Sequence, residues 1–387
     1  MTSSGRDKSM KAIINATVVM PGYYIPGGTV ITDGDKIVAV GKGKEIDTAG
    51  CEIIDAAGKY VGPGLVDIHT HAAEGSWYYD NPVKCAKYVL SHGVTSVLPA
   101  LYFDMDKEKL LGAMRALRDA MGKEGCENIL GLYMEGPYLN PKFGCCKEDN
   151  PWAGKVDASN YKELVEEGKD IVKVWCIAPE REGIENFVMD VHAANKDIVF
   201  SVAHSEAHPW QIERFIPYGL HLGTHHTNAT GTIERYSETR GVCVDECVNH
   251  NDEIYAELIC DSLGVHVDPY MLRYVEKIKG ADKVILISDV FIGNAPPPPG
   301  YEDVTDINFD KSGEIAGSNL TLDVACRNMM VHTGCSVNSA FRYAATNPAR
   351  MMGLTDIGEI GVGKKANLVF VDEWFNVDKV MLNGKIV

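Results

Sequence analysis

The sequence predicts an α/β fold: a (β/α)8 TIM-like barrel carrying a small β-sandwich domain built from both ends of the chain. Three observations predict it. Eight short, almost wholly apolar runs recur through the middle of the chain. Segments with apolar residues every three or four positions separate them, and both ends read as strand-and-turn sequence. Apolar strands alternating with amphipathic helices indicate a parallel sheet covered by helices, and eight such units are the number that closes a barrel. The predicted division is residues 1–60 plus 355–387 for the small domain and 61–354 for the barrel.

Taken in order, residues 11–60 contain "KAIINATVVMPG" and "GGTVITDGDKIVAVGKG", with Asp33-Gly34 as a hairpin signal. Barrel strands are predicted over 65–71, 94–101, 129–135, 171–178, 198–204, 220–225, 255–261 and 283–289. Helices are predicted over 107–123, 184–196, 209–218 and 269–279. In the first of these, Leu110, Leu111, Met114, Leu117 and Met121 form one apolar stripe. The closing stretch "KKANLVFVDEWFNVDKVMLNGKIV", with its Asn383-Gly384 turn, is too short to bury a core of its own, so it is assigned to the same domain as the N-terminal strands.

Composition narrows the function. The formal net charge of −17 lacks the basic footprint that nucleic-acid binding needs. The chain opens without a secretory signal, and no apolar run approaches the roughly 20 residues of a membrane span. Eleven cysteines, an odd number without zinc-ribbon spacing, fit a reducing cytoplasm. The polar residues before Met10 stay outside the fold argument.

The polar residues that interrupt the apolar runs fall at the predicted strand ends. His69 and His71 close the first strand and share one face, because strand side chains alternate with period two. Glu135 closes the third strand, His204 the fifth, His225 the sixth and Asp289 the eighth, while His266 follows the seventh. Barrel enzymes build their sites at that end of the strands. Histidine with carboxylate suits a divalent transition metal, Zn2+ first, with Fe2+ or another transition metal as alternatives. His92, His192, His221 and His332 lie outside the pattern and read as plain residues; His208, His226 and His250 are left open. Cys243 and Cys247 lack a partner pair, and the adjacent Cys145 and Cys146 are sterically poor disulfide partners, so both pairs read as plain residues. "NAPPPPG" at 294–300 reads as a rigid loop at the site.

With these motifs in place the sequence resembles the amidohydrolase superfamily and, within it, the N-acetylglucosamine-6-phosphate deacetylase family. The resemblance runs from "GDKIVAVG" through "GPGLVDIHTH", "MEGPYLNPKFG", "AHSEA", "THHTNAT" and "ISD" to "AGSNLTLDVACRN", "AATNPARMMGL" and "GEIGVGKKANLVFVD". "EGP" stands where other members of the superfamily commonly use a carboxylated lysine on strand four, and "CIAPE" offers no such lysine. The resemblance implies a metal on Glu135, His204 and His225, an optional second ion on His69 and His71, and Asp289 as catalytic base and then acid. It implies sugar-phosphate contacts from Asn228, Ala229, Arg240 and His266, with Arg240 reaching across a homodimer. It also implies that Ala316 and Gly317 lie over the sugar. The implied reaction releases acetate from a phosphorylated N-acetyl amino sugar. Departures from the family pattern fall on the sugar-facing loops. Lys142-Phe143-Gly144-Cys145-Cys146 replaces Lys-Lys-Gly-Ala-His, putting Cys146 at the histidine position, and "THHTNAT" and "DSLGVHV" also differ. The galactosamine epimer, or another amide, therefore stays open as substrate.

Overall fold

The structure is a computed structural model, and it describes residues 10–232, 236–239 and 241–387. Strands from both ends of the chain join one eight-stranded sheet. Met10–Met20, Tyr23–Asp33 and Lys36–Lys42 form its antiparallel meander, and Leu368–Val371, Val377–Leu382 and Lys385–Ile386 extend the other side through Tyr60–Pro63. The first strand has two partners on one edge: Lys11–Ile14 pairs with 52–55, and Thr17–Val18 with 60–61. The sheet branches between them at Asn15, whose φ of 56° breaks the extended backbone. Ile13, Val18, Val30, Val61, Leu368 and Phe370 fill the core of this sheet.

Tyr60–Pro63 leads directly into the first barrel strand, Leu65–Thr70. The glycines of "GPG" serve close packing here. A β-carbon on Gly62 would lie 2.4 Å from the Phe341 ring, and one on Gly64 would lie 2.0 Å from Thr95 Oγ1.

Eight parallel strands follow in chain order: Leu65–Thr70, Val94–Tyr102, Leu132–Glu135, Val172–Ile177, Val199–Val202, Leu220–Gly223, Tyr255–Ile259 and Val284–Ile287. All eight predicted strands are present. Between the eighth and the first, Asp289 N donates to His69 O at 2.9 Å, and Ser288 Oγ donates to the buried Asp67 carboxylate at 2.6 Å. Those two bonds bring the last strand end beside the first histidine pair. Helix starts follow local chemistry: Asn81, Asp106, Asp157 and Asp268 each accept a backbone N–H of the first turn.

The structure differs from the sequence reading in two ways. The helix expected over 209–218 is shortened to a five-residue α-helix, Pro209–Glu213, followed by a 3-10 turn at Ile216–Tyr218. Pro217 has no N–H to give and disfavours helical backbone at the residue before it. Strands five, six and eight also stop two residues before His204, His225 and Asp289.

Candidate active site

Those three residues lie just past their strands in left-handed backbone, with φ of 42° at His204, 27° at His225 and 48° at Asp289. Such conformations cost non-glycine residues on the order of 1–3 kcal/mol and persist where the surroundings enforce them. Here His204 and His225 meet at Glu135, and Asp289 turns to the histidines of the first strand. His204 Nε2 lies 2.8 Å from Glu135 Oε1, His225 Nε2 lies 3.0 Å from the same oxygen, and the two nitrogens are 3.1 Å apart. The other Glu135 oxygen faces the first strand, 3.0 Å from His71 Nε2 and 3.6 Å from His69 Nε2. Asp289 Oδ1 completes that half, 3.4 Å from His71 Nε2 and 3.6 Å from His69 Nε2.

Two clusters of potential ligands therefore share one carboxylate at their boundary: Glu135, His204 and His225, and His69, His71 and Asp289, all buried. The donor set fits a cation. Two imidazole nitrogens and a carboxylate oxygen, mutually about 3 Å apart, cannot all satisfy one another by hydrogen bonding, whereas lone pairs converging at this spacing suit a divalent ion with bonds of about 2.0–2.2 Å. His69 carries the second sign. Its Nδ1 is held by Glu257 Oε2 at 3.2 Å, and its buried Nε2 has no hydrogen-bond partner. A carboxylate that fixes the far nitrogen of a histidine is the usual support of a metal-binding imidazole.

Glu257 is the residue that sequence reasoning missed. It lies fully buried inside the seventh barrel strand, and besides His69 it accepts from His225 N at 3.1 Å and from Tyr133 OH at 3.3 Å. The Tyr133 ring stacks on His69 with centroids 4.2 Å apart. The available signal was a glutamate inside the otherwise apolar "YAELI".

Electrostatics follow from the same contacts. Burial by itself would raise the Glu135 carboxyl, but the imidazoles of His204, His225, His69 and His71 around it outweigh burial and hold it well below the ordinary carboxylate range. Asp289 is lowered likewise: burial opposes ionisation, while the charge on His69 and the hydrogen bond from His71 overcome it. Burial pushes His204 below its ordinary value; in His69, His71 and His225 burial acts in the same direction but the facing carboxylates outweigh it and raise the imidazoles.

A cavity of about 510 Å³ opens over the two clusters. Asn228, Ala229, His266 and Gly317 stand on its wall, whereas Ala316 is not on that wall and is buried. Cys145, and not Cys146, is the cysteine on the wall. The two occupy successive positions, and the left-handed backbone of Cys146, with φ of 51°, sets where the chain turns. Arg240 lies outside the described residues. The 294–300 segment is not on the wall; the hairpin it leads into, Ile307–Phe309 with Ile315–Ser318, supplies that side through Ile315 and Gly317. His266 Nδ1 is tied to Asp261 Oδ2 at 3.1 Å, and its Nε2 is buried without a hydrogen-bond partner. Lys142 and Lys147 are the lysines on the described wall, paired with Glu206 and Glu314. Tyr102 and Phe291 pack edge-on against His71, with centroids 5.7 and 5.3 Å away.

Residues 60–387 match the Amidohydrolase family model. The N-acetylglucosamine-6-phosphate deacetylase of Haemophilus influenzae is 29% identical, over 97% of this chain and 98% of its own. An N-acetylgalactosamine-6-phosphate deacetylase of Escherichia coli O157:H7 is 26% identical over 84% of this chain and 86% of its own. The crystal structure of N-acetylglucosamine-6-phosphate deacetylase from Pasteurella multocida superposes with a TM-score of 0.84 at 25% identity, over 98% of this chain and 99% of that one. The barrel, the ligand clusters at the carboxyl ends of its strands and the match over 60–387 together make this chain a member of the Amidohydrolase family.

Proposed function

We propose that this chain is a metal-dependent deacetylase that cleaves N-acetylglucosamine 6-phosphate to glucosamine 6-phosphate and acetate. The observation that carries the reading is the convergence of Glu135, His204 and His225 on one point, with Asp289 facing them across the mouth. The named deacetylase relatives, aligned over nearly their whole length, support the substrate class.

In this reading Glu135, His204 and His225 hold one divalent ion, proposed as Zn2+ from its mixed histidine and carboxylate donors. His69 and His71, with Asp289 beside them, offer a place for a second. An ion held by Glu135, His204 and His225 would polarise an amide carbonyl as a Lewis acid and make a neighbouring water more acidic. The chain's own groups do the remaining work. Asp289, kept ionised, takes a proton from the attacking water and returns it to the departing amine nitrogen, acting as base and then acid. His266, fixed by Asp261, presents Nε2 to the substrate, and Glu257 fixes the His69 tautomer. Asn228, Ala229 and Arg240 are assigned to the sugar phosphate, Cys146 to the sugar-facing loop, and Ala316 and Gly317 to the segment over the sugar. The catalytic unit is assigned to 61–354, and a cytoplasmic homodimer completes the proposal. No helix among the described residues is long and apolar enough to cross a membrane.

The test is acetate release from the 6-phosphates of N-acetylglucosamine and N-acetylgalactosamine, with the unphosphorylated sugars as controls. The gluco phosphate is expected to give the highest kcat/KM, and the unphosphorylated sugars little turnover. No release from any of them would overturn the reading. A second reading, the galacto epimer as preferred substrate, is favoured by the altered Lys142–Cys146 loop and by the galactosamine relative. The same panel decides between the two.

A further inference from the structure

Aromatic rings close one side of the cavity. Tyr102, the last residue of the second barrel strand, and Phe291, just past the eighth, both stand on its wall beside His71. The three rings form a triangle in which every pair meets edge-on. Centroids are 5.7 Å apart for His71 and Tyr102, 5.3 Å for His71 and Phe291, and 5.5 Å for Tyr102 and Phe291.

Both rings are held in place. Tyr102 OH donates to Cys145 O at 3.2 Å, and the Phe103 ring lies behind it with centroids 4.1 Å apart. Because the hydroxyl is spent on that carbonyl, Tyr102 offers the cavity ring carbon. Phe291 is fixed through its backbone: its N donates to Ser318 O at 3.1 Å, and its O accepts from Asn308 Nδ2 at 2.6 Å. The Trp77 ring backs it edge-on, with centroids 4.9 Å apart. Both side chains are buried, so neither has free space to swing into.

The position of this wall says what it meets. A secondary amide carries two substituents, the acyl chain on its carbonyl carbon and the sugar on its nitrogen, and they point apart. The sugar phosphate is assigned to Asn228 and Ala229 on the loop after strand six. The ends of strands eight, one and two, which carry Phe291, His71 and Tyr102, are neighbours elsewhere around the mouth. An amide held between the two ligand clusters with its sugar toward strand six turns its acyl chain toward these rings.

We propose that Tyr102 and Phe291 form the end wall for the acyl group and restrict the substrate to acetyl. The inference rests on the deacetylase reading. A chain longer than acetyl runs into fixed rings, whereas a smaller side chain at either position opens room for it.

The experiment assays the full metal-loaded protein on the N-acetyl, N-propionyl and N-butyryl forms of whichever hexosamine 6-phosphate it cleaves faster, reading the amino sugar phosphate common to all three. Each methylene beyond acetyl is expected to lower kcat/KM by about tenfold or more. In Phe291→Ala and in Tyr102→Leu, the butyryl-to-acetyl ratio of kcat/KM should rise by about tenfold or more over the parent's. Where Phe291→Ala does not fold, Phe291→Leu takes its place. A merely structural disturbance lowers all three substrates together and leaves the ratio unchanged. That result in one folded variant removes its ring from the wall, and in both it overturns the inference. Phe143→Ala, elsewhere on the cavity wall, should keep the parent's ratio; a shift there, with none at Tyr102 or Phe291, would place the acyl group elsewhere. Equal turnover of all three substrates by the parent overturns the inference and leaves the deacetylase reading standing. No product from any acyl form of either epimer overturns both.

Discussion

At the scale of single residues, the site depends on two carboxylates with different duties. Asp289 faces both histidines of the first strand and is kept ionised by them despite its burial. On the proposed mechanism Asp289→Asn keeps the shape and removes the base, so turnover is expected to fall by at least the 10²–10⁴-fold typical of general acid–base catalysis. Elemental analysis of the variant should still find one metal per chain on Glu135, His204 and His225, and retained turnover would place the base elsewhere. Glu257 acts one layer below. Glu257→Gln removes the negative charge and one of the two acceptor oxygens behind His69, and about a 10–100-fold weaker metal affinity is expected, read by competition with a chelator. The aspartate was legible because it closes an apolar strand. The glutamate was not: Glu257 sits mid-strand, where only the register of the closed barrel turns its side chain under the histidines.

At the scale of elements, strand ends and the loops after them carry the chemistry. The loop after strand seven is organised by Asp261, which accepts from Leu263 N, Val265 N and His266 N, and from the His266 ring. Burial would raise this carboxyl, but the His266 hydrogen bond and those backbone donors outweigh it and hold it at about 2. The folded value lies below the roughly 3.9 of an unfolded aspartate. Its stabilisation is therefore complete above about pH 4 and is lost as pH falls through 2. Asp261→Asn is expected to destabilise the protein by about 1–3 kcal/mol at pH 7, with the gap from the parent narrowing below about pH 4. Urea unfolding across that range checks it, and a gap independent of pH would point to packing instead. The strand and helix pattern was readable because periodicity is local. The left-handed ends at His204, His225 and Asp289 were not, because they are enforced by the ligands meeting across the mouth.

At the scale of the whole molecule, the two ligand clusters draw on strands one, three, five, six and eight, so bound metal would tie together strands far apart in sequence. Ligand held at about 100 times its Kd stabilises the folded state by about 2.7 kcal/mol. Removing metal with a chelator is expected to lower Tm by several degrees and to abolish turnover, both restored by added Zn2+; a Tm insensitive to both treatments would count against the centre. The chain's two ends meet in one sheet beside this barrel, where Leu368–Val371 pairs with Tyr60–Pro63 just before the first barrel strand begins.

The sequence by itself determined the barrel, its eight strands and the residue types at their carboxyl ends, because apolar periodicity and strand length are local properties of the chain. It also carried the family through motifs spread from end to end. Only the tertiary structure decided that Glu135 divides its two oxygens between two ligand clusters, that Glu257 supports both of them from below, and that Cys145 rather than Cys146 faces the cavity. Each of those depends on distances between segments far apart in sequence or on the turn of one backbone angle, and neither is written in the pattern of side chains along the chain.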